Sequence, residues 1–332
     1  MKRIGMIGAG NIAQVHLEGW RRLPVEIAAH YDVRPEAAQQ AAAKFGGKAC
    51  ASVEELFDRV DLVDICTPGN VHKENVLAAA GAGKPMVCEK PLARHLADCE
   101  AIVAACERTQ TPLFVAQVVR FFPEFAKAKE ILDSGAIGKA AVIRTTRAGS
   151  YIRWSPYFSS FELSGGVVLD VGVHDIDFQR WCCGDVERVF ARGLTFANAG
   201  ERDHALISLR FTSGAVGHIE TGWANPTGQW RTRIEICGDG GMLEWDREQD
   251  APITQILVNQ SGDGHIRTRH SPLAPDDNPY YAELAHFLAC LEGGQPFRVS
   301  PRDGLEAVKV ALAAIESIRT GQVVELANIR ET

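Results

Sequence analysis

The chain has 332 residues, 46% hydrophobic and 23% charged, with a net charge of −7. That length suits two domains with cores of their own, the acidic balance argues against a nucleic-acid partner, and no apolar run approaches the ~18 residues that would span a bilayer. Nine cysteines, none in a CxxC pair, read as reduced core residues of a cytoplasmic protein, and backbone geometry disfavours a bridge between the adjacent Cys182 and Cys183.

Strand and helix signals alternate through the first 120 residues. RIGMIG (3–8) is a short apolar run ending in glycine, and a helical stretch follows to Arg22. VEIAAHYD (25–32) predicts a strand, and PEAAQQAAAKF (35–45) a helix with Pro35 in its first turn. Ser52 and Glu55 have the spacing of a capping box for a short helix. DLVDICT (61–67), PMVCEK (85–90) and PLFVAQ (112–117) predict strands, with helices over 70–81 and 94–109 between them. Such alternation implies a doubly wound parallel sheet covered on both faces. Beyond 120 come a helix (123–133), a strand (AAVIRTTRA) and a helix near 165–182. The strand-like runs VERVFARGLT, HALISLRFT, AVGHIETGW, RTRIEICG, GMLEW and ITQILVN follow, and helices near 279–292 and 302–319 close the chain. Consecutive strands on short connections predict an α+β domain with a mostly antiparallel sheet. The expected division is therefore 1–120 and 121–332.

Gly8-Ala9-Gly10-Asn11-Ile12-Ala13 fits G-x-G-x-x-A directly after a strand and at the start of a helix. Gly8 permits the tight turn, Gly10 lets the backbone approach a pyrophosphate at the helix N-terminus, and Ala13 allows close packing on the strand. Asp32, 24 positions after Gly8, ends the second strand, where a carboxylate can bond both ribose hydroxyls of NAD. Arg34 keeps NADP open, since an arginine there can accommodate the 2′-phosphate. These features predict a Rossmann domain, with Gly8, Gly10, Asn11, Ile12, Asp32 and Arg34 as cofactor contacts.

Thr67, Pro68, Asn70 and His72, after the strand 61–67, join that set because ligands of open α/β sheets lie beyond the carboxyl ends of the strands. Asn70 serves equally as a cap for the following helix, and His72, within its first turn, reads as structural rather than catalytic. Glu89 and Lys90 leave the same edge, and Pro91 restricts Lys90 to an extended backbone that aims its side chain. Asp170, His174 and Asp177 fall at i, i+4 and i+7, one face of a half-buried helix, where charged groups need partners. Arg120, Tyr151, Arg153, Trp154, Tyr157 and Tyr281 are candidate substrate contacts, suited to a ring bearing hydroxyls or a carboxylate.

Together, GAGNIA, Asp32, TPGNVH, EKP, RFFP (120–123), SGAIGK (134–139), GGVVLDVGVHDID and SPRDGLEAVKVALAAIESIRTGQVVEL (300–326) resemble the Gfo/Idh/MocA oxidoreductases over nearly the whole chain. The resemblance implies a Rossmann domain followed by a domain with a large, open sheet that commonly forms an oligomer interface, here a homodimer or homotetramer. It implies hydride transfer between NAD(P) and a secondary alcohol or carbonyl of a sugar, polyol or related ring. Lys90, Asp170 and His174 are the catalytic group it implies, also touching substrate, and it implies a cis bond before Pro91. His174 is expected to take the hydroxyl proton while Lys90 stabilises the same oxygen, although these two roles are interchangeable on sequence alone. A cofactor-binding regulator without turnover, or an internal-redox glycosidase or epimerase, are the alternatives on the same fold.

Overall fold

The computed structural model describes residues 1–151, 155–195, 203–225, 230–249, 253–258, 265–270 and 278–329. In chain order the elements begin with β1 (Lys2–Ile7), α1 (Asn11–Trp20), β2 (Val25–Tyr31), α2 (Pro35–Phe45), β3 (Lys48–Ala49), α3 (Val53–Phe57) and β4 (Leu62–Ile65). Next come α4 (His72–Gly81), β5 (Met86–Glu89), α5 (Leu96–Thr109), β6 (Leu113–Ala116), α6 (Pro123–Asp133) and β7 (Ala140–Ala148). Two single-turn helices, α7 (Pro156–Ser159) and α8 (Phe161–Ser164), precede α9 (Val173–Cys183). The strands β8 (Val186–Leu194), β9 (His204–Phe211), β10 (Val216–Gly222), β11 (Arg231–Gly238), β12 (Gly241–Asp246), β13 (Ile253–Val258) and β14 (His265–His270) run in succession. The helices α10 (Pro279–Gly293) and α11 (Pro301–Thr320) and the short β15 (Val324–Glu325) end the chain. Among the described residues no helix is long and apolar enough to cross a membrane.

Two compact units result: Met1–Val118 with Asp277–Glu306, and Val119–Asp276 with Ala307–Thr332. The first is built on a six-stranded parallel sheet in the order β3-β2-β1-β4-β5-β6. The chain winds outward from β1 in one direction and from β4 in the other, so the carboxyl ends of β1 and β4 flank the switch point where such sheets take ligands. Ile4, Met6, Ile7, Val63, Ile65, Val87, Phe114 and Val115 are essentially inaccessible, as strands covered on both faces require.

Sequence reading placed all of 121–332 in the second domain, whereas 277–306 belongs to the first unit. The reason is the apolar face of α10. Leu284 and Phe287 are fully buried, with Phe287 edge-on to Trp20 at 6.4 Å and 6.0 Å from Phe114. Gly19 permits the approach: a Cβ there would lie 3.0 Å from Leu284 Cδ1 and 3.5 Å from Tyr281 Cα. Each such side chain contributes about 1.5–3 kcal/mol of burial. Asn278 fixes the helix start, its Oδ1 accepting from the Tyr280 and Tyr281 N–H groups at 3.0 and 3.3 Å, and Pro279 follows as the first helical residue.

The second unit carries a nine-stranded sheet in the order β14-β13-β12-β11-β7-β10-β9-β8-β15. Only β7 and β10 pair in parallel. The two-residue β3 and β15 are too short to carry a periodic signal, and β14, at the sheet edge, is polar apart from Ile266; none of the three was expected. Val189, Ala191, Ile207, Leu209, Phe211 and Ile219 form one buried face. Phe125 of α6 stands edge-on to Phe178 of α9 at 4.8 Å, and Ser317 of α11 accepts from the Ala191 N–H at 2.9 Å. On the opposite face Phe190, Leu194 and Leu206 stay 36%, 63% and 54% exposed. All nine cysteines are unbridged, seven of them buried.

Candidate active site

Gly8 ends β1 with φ +94, and its N–H donates to the Tyr31 carbonyl at 2.8 Å. A Cβ at this position would sit 2.8 Å from the Cys66 carbonyl carbon and oxygen, so both conformation and space demand glycine. Gly10, the residue that caps α1, has an ordinary φ of −75, but a Cβ built on it meets nothing within 4 Å. No side chain caps α1, so its first-turn N–H groups face that open cradle. Asn11 is exposed there and Ile12 half-buried. Asp32 locks the loop: one carboxylate oxygen accepts from the Ala9 N–H at 2.8 Å, the other from Arg34 N at 2.9 Å and Nε at 3.2 Å. Burial opposes its charge, yet the bonds from Arg34 and Ala9 hold its carboxyl below the ordinary aspartate range. The open cradle, the uncapped helix and the acid at the strand end fit a dinucleotide.

The loop after β4 differs from expectation in two places. Asn70 does not cap α4; it lies exposed in a 3₁₀ turn (Gly69–Val71), and no side chain caps the helix. His72 is fully buried, its Nδ1 2.9 Å from the Pro91 carbonyl and its Nε2 2.7 Å from that of Thr67. Burial pushes its pKa down. Both ring nitrogens face backbone carbonyls; the neutral ring donates to one of the two and packs against the other, so its place is between two loops in the interior. Thr67 is half-buried and Pro68 exposed at the mouth of the same edge.

Lys90 follows β5 and is half-buried, and the Lys90–Pro91 bond is cis. Glu89, assigned to the cofactor from sequence, faces inward instead. One of its oxygens lies 3.1 Å from His16 Nε2 and the other accepts from the Lys90 N–H at 2.9 Å. The His16 Nδ1 lies 2.9 Å from Asp64, which also accepts from the Trp20 indole at 2.7 Å, and Glu283 of α10 comes within 3.7 Å of Nε2. His16, Asp64 and Glu283 are fully buried. Burial works against charge on the imidazole, but Cys66 and Asp64 beside it raise its pKa well above the histidine norm. Burial also drives Glu283 strongly toward its neutral form. Sequence reading missed this cluster. Its one visible trace is Asp64, a charged residue in the otherwise apolar strand LVDIC, which demands a partner. Replacing such a network by well-packed apolar side chains is often neutral or stabilising by about 1–4 kcal/mol, so stability is a weak reason for its presence.

In the second unit Asp170 sits in a π-helical segment, Val168–Gly172, which runs directly into α9 with His174 at its second residue. Asp170 is buried and His174 half-buried. Wide π turns inside helices recur at functional sites. Asp177 forms a buried bidentate pair with Arg120, at 2.7 Å to Nε and 2.6 Å to Nη2, and Arg120 also lies over the Trp181 ring at 5.4 Å. Arg120 is thus an interior anchor and not a substrate contact. Arg147 Nε donates a single bond to the buried Asp175 at 2.6 Å.

Tyr281, expected from sequence at the substrate, lies in the first unit at the far end of α1 from Gly10, with the Arg22 guanidinium 4.1 Å above its ring. Tyr151 is half-buried, edge-on to Trp223 at 5.6 Å, and Phe158 reaches the same indole at 6.2 Å. Tyr157, beside Phe158, is half-buried. Trp154 and Arg153 lie outside the described residues. Trp223, which closes the predicted run AVGHIETGW, was not singled out from sequence. Its buried indole N–H has no hydrogen-bond partner among the described residues.

Residues 2–117 match the oxidoreductase family with an NAD-binding Rossmann fold, and residues 125–244 match the GFO/IDH/MocA C-terminal domain. A myo-inositol 2-dehydrogenase of Thermotoga maritima is 34% identical over 98% of this chain and 99% of its own length. A D-apiose dehydrogenase of Paraburkholderia graminis is 32% identical, covering 98% and 89%. Among solved structures, an oxidoreductase from Agrobacterium radiobacter in complex with NAD+, L-tartaric acid and magnesium superposes with a TM-score of 0.87 at 25% identity, over 98% of both chains. With the glycine cradle and Asp32 in place, NAD is the cofactor that the first unit is built to hold. The chain belongs to the Gfo/Idh/MocA family of NAD-dependent oxidoreductases.

Proposed function

We propose that this enzyme is a dehydrogenase of a sugar or polyol ring, oxidising a secondary alcohol or reducing the corresponding carbonyl, with Lys90, Asp170 and His174 as its catalytic residues. The observation that carries this reading is the position of Lys90. It leaves the same carboxyl edge of the parallel sheet as Gly8 and Thr67, the edge on which the open cradle lies. NAD bound at that cradle supplies the hydride acceptor. His174 takes the hydroxyl proton, because an imidazole exchanges protons near neutral pH. The Lys90 ammonium donates a hydrogen bond to the same oxygen and stabilises the negative charge that develops there. Asp170, buried one helical turn before His174, orients the imidazole. Tyr151 flanks the substrate. The relatives named for myo-inositol and D-apiose support a polyhydroxylated substrate.

Asp32 favours NAD over NADP, since its carboxylate would repel a 2′-phosphate and Arg34 is already drawn to it. The unbridged thiols support a cytoplasmic protein. The decisive experiment follows NADH absorbance with a panel of inositols, pentoses and hexoses. His174→Asn and Lys90→Met are each expected to lower turnover on the order of 10²–10⁴ while leaving NAD affinity, read by fluorescence titration, within about two-fold. No net NADH with any substrate would remove the dehydrogenase reading, and unchanged turnover in either variant would remove that residue from the catalytic set.

A further inference from the structure

The turn that presents Lys90 is gripped on both sides of its peptide. On one side the Lys90 N–H donates to Glu89 at 2.9 Å, and the second oxygen of that carboxylate is held 3.1 Å from His16 Nε2. On the other side the Pro91 carbonyl lies 2.9 Å from His72 Nδ1, while His72 Nε2 reaches back 2.7 Å to the Thr67 carbonyl at the end of β4. Both imidazoles are fully buried and neither reaches solvent or a ligand-facing surface. His16 is itself fixed by Asp64 at 2.9 Å, with Cys66 at 3.5 Å from the same ring nitrogen, Glu283 at 3.7 Å from the other, and the Tyr280 ring 6.0 Å away. Three acids therefore surround one buried imidazole, and two of them come from strands adjacent in the sheet. That arrangement, costly in desolvation, meets the chain leaving the core through the Glu89 oxygen on the Lys90 amide.

We propose that His16 and His72 are positioning residues for Lys90, a two-imidazole clamp that fixes the Lys90–Pro91 turn from beneath the sheet edge. His16 acts through Glu89, whose carboxylate it orients toward the Lys90 N–H; Asp64 holds His16 in place from the other ring nitrogen. His72 acts directly on the Pro91 carbonyl. The clamp sets where the Lys90 amine stands and takes no part in binding NAD, since neither ring faces the cradle at Gly10. This inference rests on the reading of Lys90 as catalytic, and two readouts keep the two separable.

The first readout is kinetic. With NAD and myo-inositol, His16→Gln and His72→Gln are each expected to lower kcat by about 10- to 100-fold, consistent with what a misplacement of ~1 Å costs, with the NAD dissociation constant changed by less than two-fold. In a Lys90→Met background the same substitutions are expected to change kcat by less than two-fold, because their effect runs through the missing side chain. Full multiplicative losses in that background, or losses that track weakened NAD binding, would overturn the clamp. The second readout is amide hydrogen exchange of the peptide spanning 86–95, which needs no turnover. The clamp predicts exchange at least ten-fold faster in His16→Gln and His72→Gln, with the rest of the sheet unchanged. Unchanged exchange there overturns it whether or not Lys90 proves catalytic. Glu89→Gln, which keeps size and an acceptor for the Lys90 N–H but removes the charge facing His16, serves if either histidine variant fails to fold, with the same two expectations. Faster exchange together with a fully active Lys90→Met would leave the clamp standing and remove the catalytic assignment.

Discussion

Gly8 and Gly10 are two positions apart and answer to opposite demands. Gly8→Ala would force an L side chain to φ +94 and drive its Cβ to 2.8 Å from the Cys66 backbone. A loss of about 1–3 kcal/mol is expected, read as a lower urea midpoint. Gly10→Val adopts an allowed backbone and projects into open space. It should cost stability only about 1 kcal/mol, the value of a poorer cap, while abolishing NAD binding in a fluorescence titration. Equal effects of the two substitutions on stability would contradict this division. These glycines and Asp32 were legible in the sequence because each serves a backbone need written within a few residues of itself. Arg120 and Tyr281 were not. An arginine or tyrosine looks the same in sequence whether it meets a ligand, an interior Asp177 or a neighbouring Arg22. The His16 cluster was hidden for a related reason: its members come from α1, β4, β5 and α10, and nothing local announces that they converge.

The elements of the first 120 residues follow closely from apolar runs and glycine stops, since parallel strands covered on both faces carry an unmixed signal. The weaker second half shows where that signal fades: β15 is two residues long, and β14 is polar apart from Ile266. The return of α10 was invisible because an apolar helix face does not name the surface that it covers. Its contribution is large. A fragment ending at residue 118 would leave Trp20 and Phe114 without Leu284 and Phe287, and is expected to aggregate and to bind no NADH. Phe287→Ala in the whole chain should cost about 3–5 kcal/mol of the first unit's stability, measured by urea unfolding. A soluble, NADH-binding fragment of 1–118 would show that α10 is dispensable.

The join between β1 and the loop before β4 is electrostatic. Asp61 accepts from Arg3 N at 2.8 Å and Nη2 at 2.7 Å, and these bonds lower its pKa to about 2. A carboxyl whose folded pKa lies below the unfolded value of about 3.9 stabilises fully above the latter. That contribution is lost as pH falls toward 2. The pair is partly exposed, so the effect is small. The gap in urea midpoint between the wild type and Asp61→Asn should therefore narrow between pH 5 and the acid limit; a constant gap would show that the ion pair contributes nothing.

At the scale of the whole molecule, the outward face of the nine-stranded sheet leaves Phe190, Leu194 and Leu206 exposed on adjacent strands β8 and β9. Large apolar side chains gathered on one sheet face suit a second copy better than water. A homodimer or homotetramer is expected by light scattering coupled to size exclusion, and Phe190→Lys with Leu206→Lys should shift it toward monomer. A wild-type monomer at micromolar concentration would refute the assignment.

The first unit is interrupted in sequence: residues 279–293, which cover Trp20 and Phe114, are separated from residue 118 by nearly half of the chain. During synthesis at about 5–20 residues per second, roughly ten to thirty seconds pass between emergence of the sheet and arrival of its missing wall. Throughout that interval the nascent polypeptide shows bare aromatic surface to the cell. The nucleotide domain therefore completes its core only after most of the chain has been made.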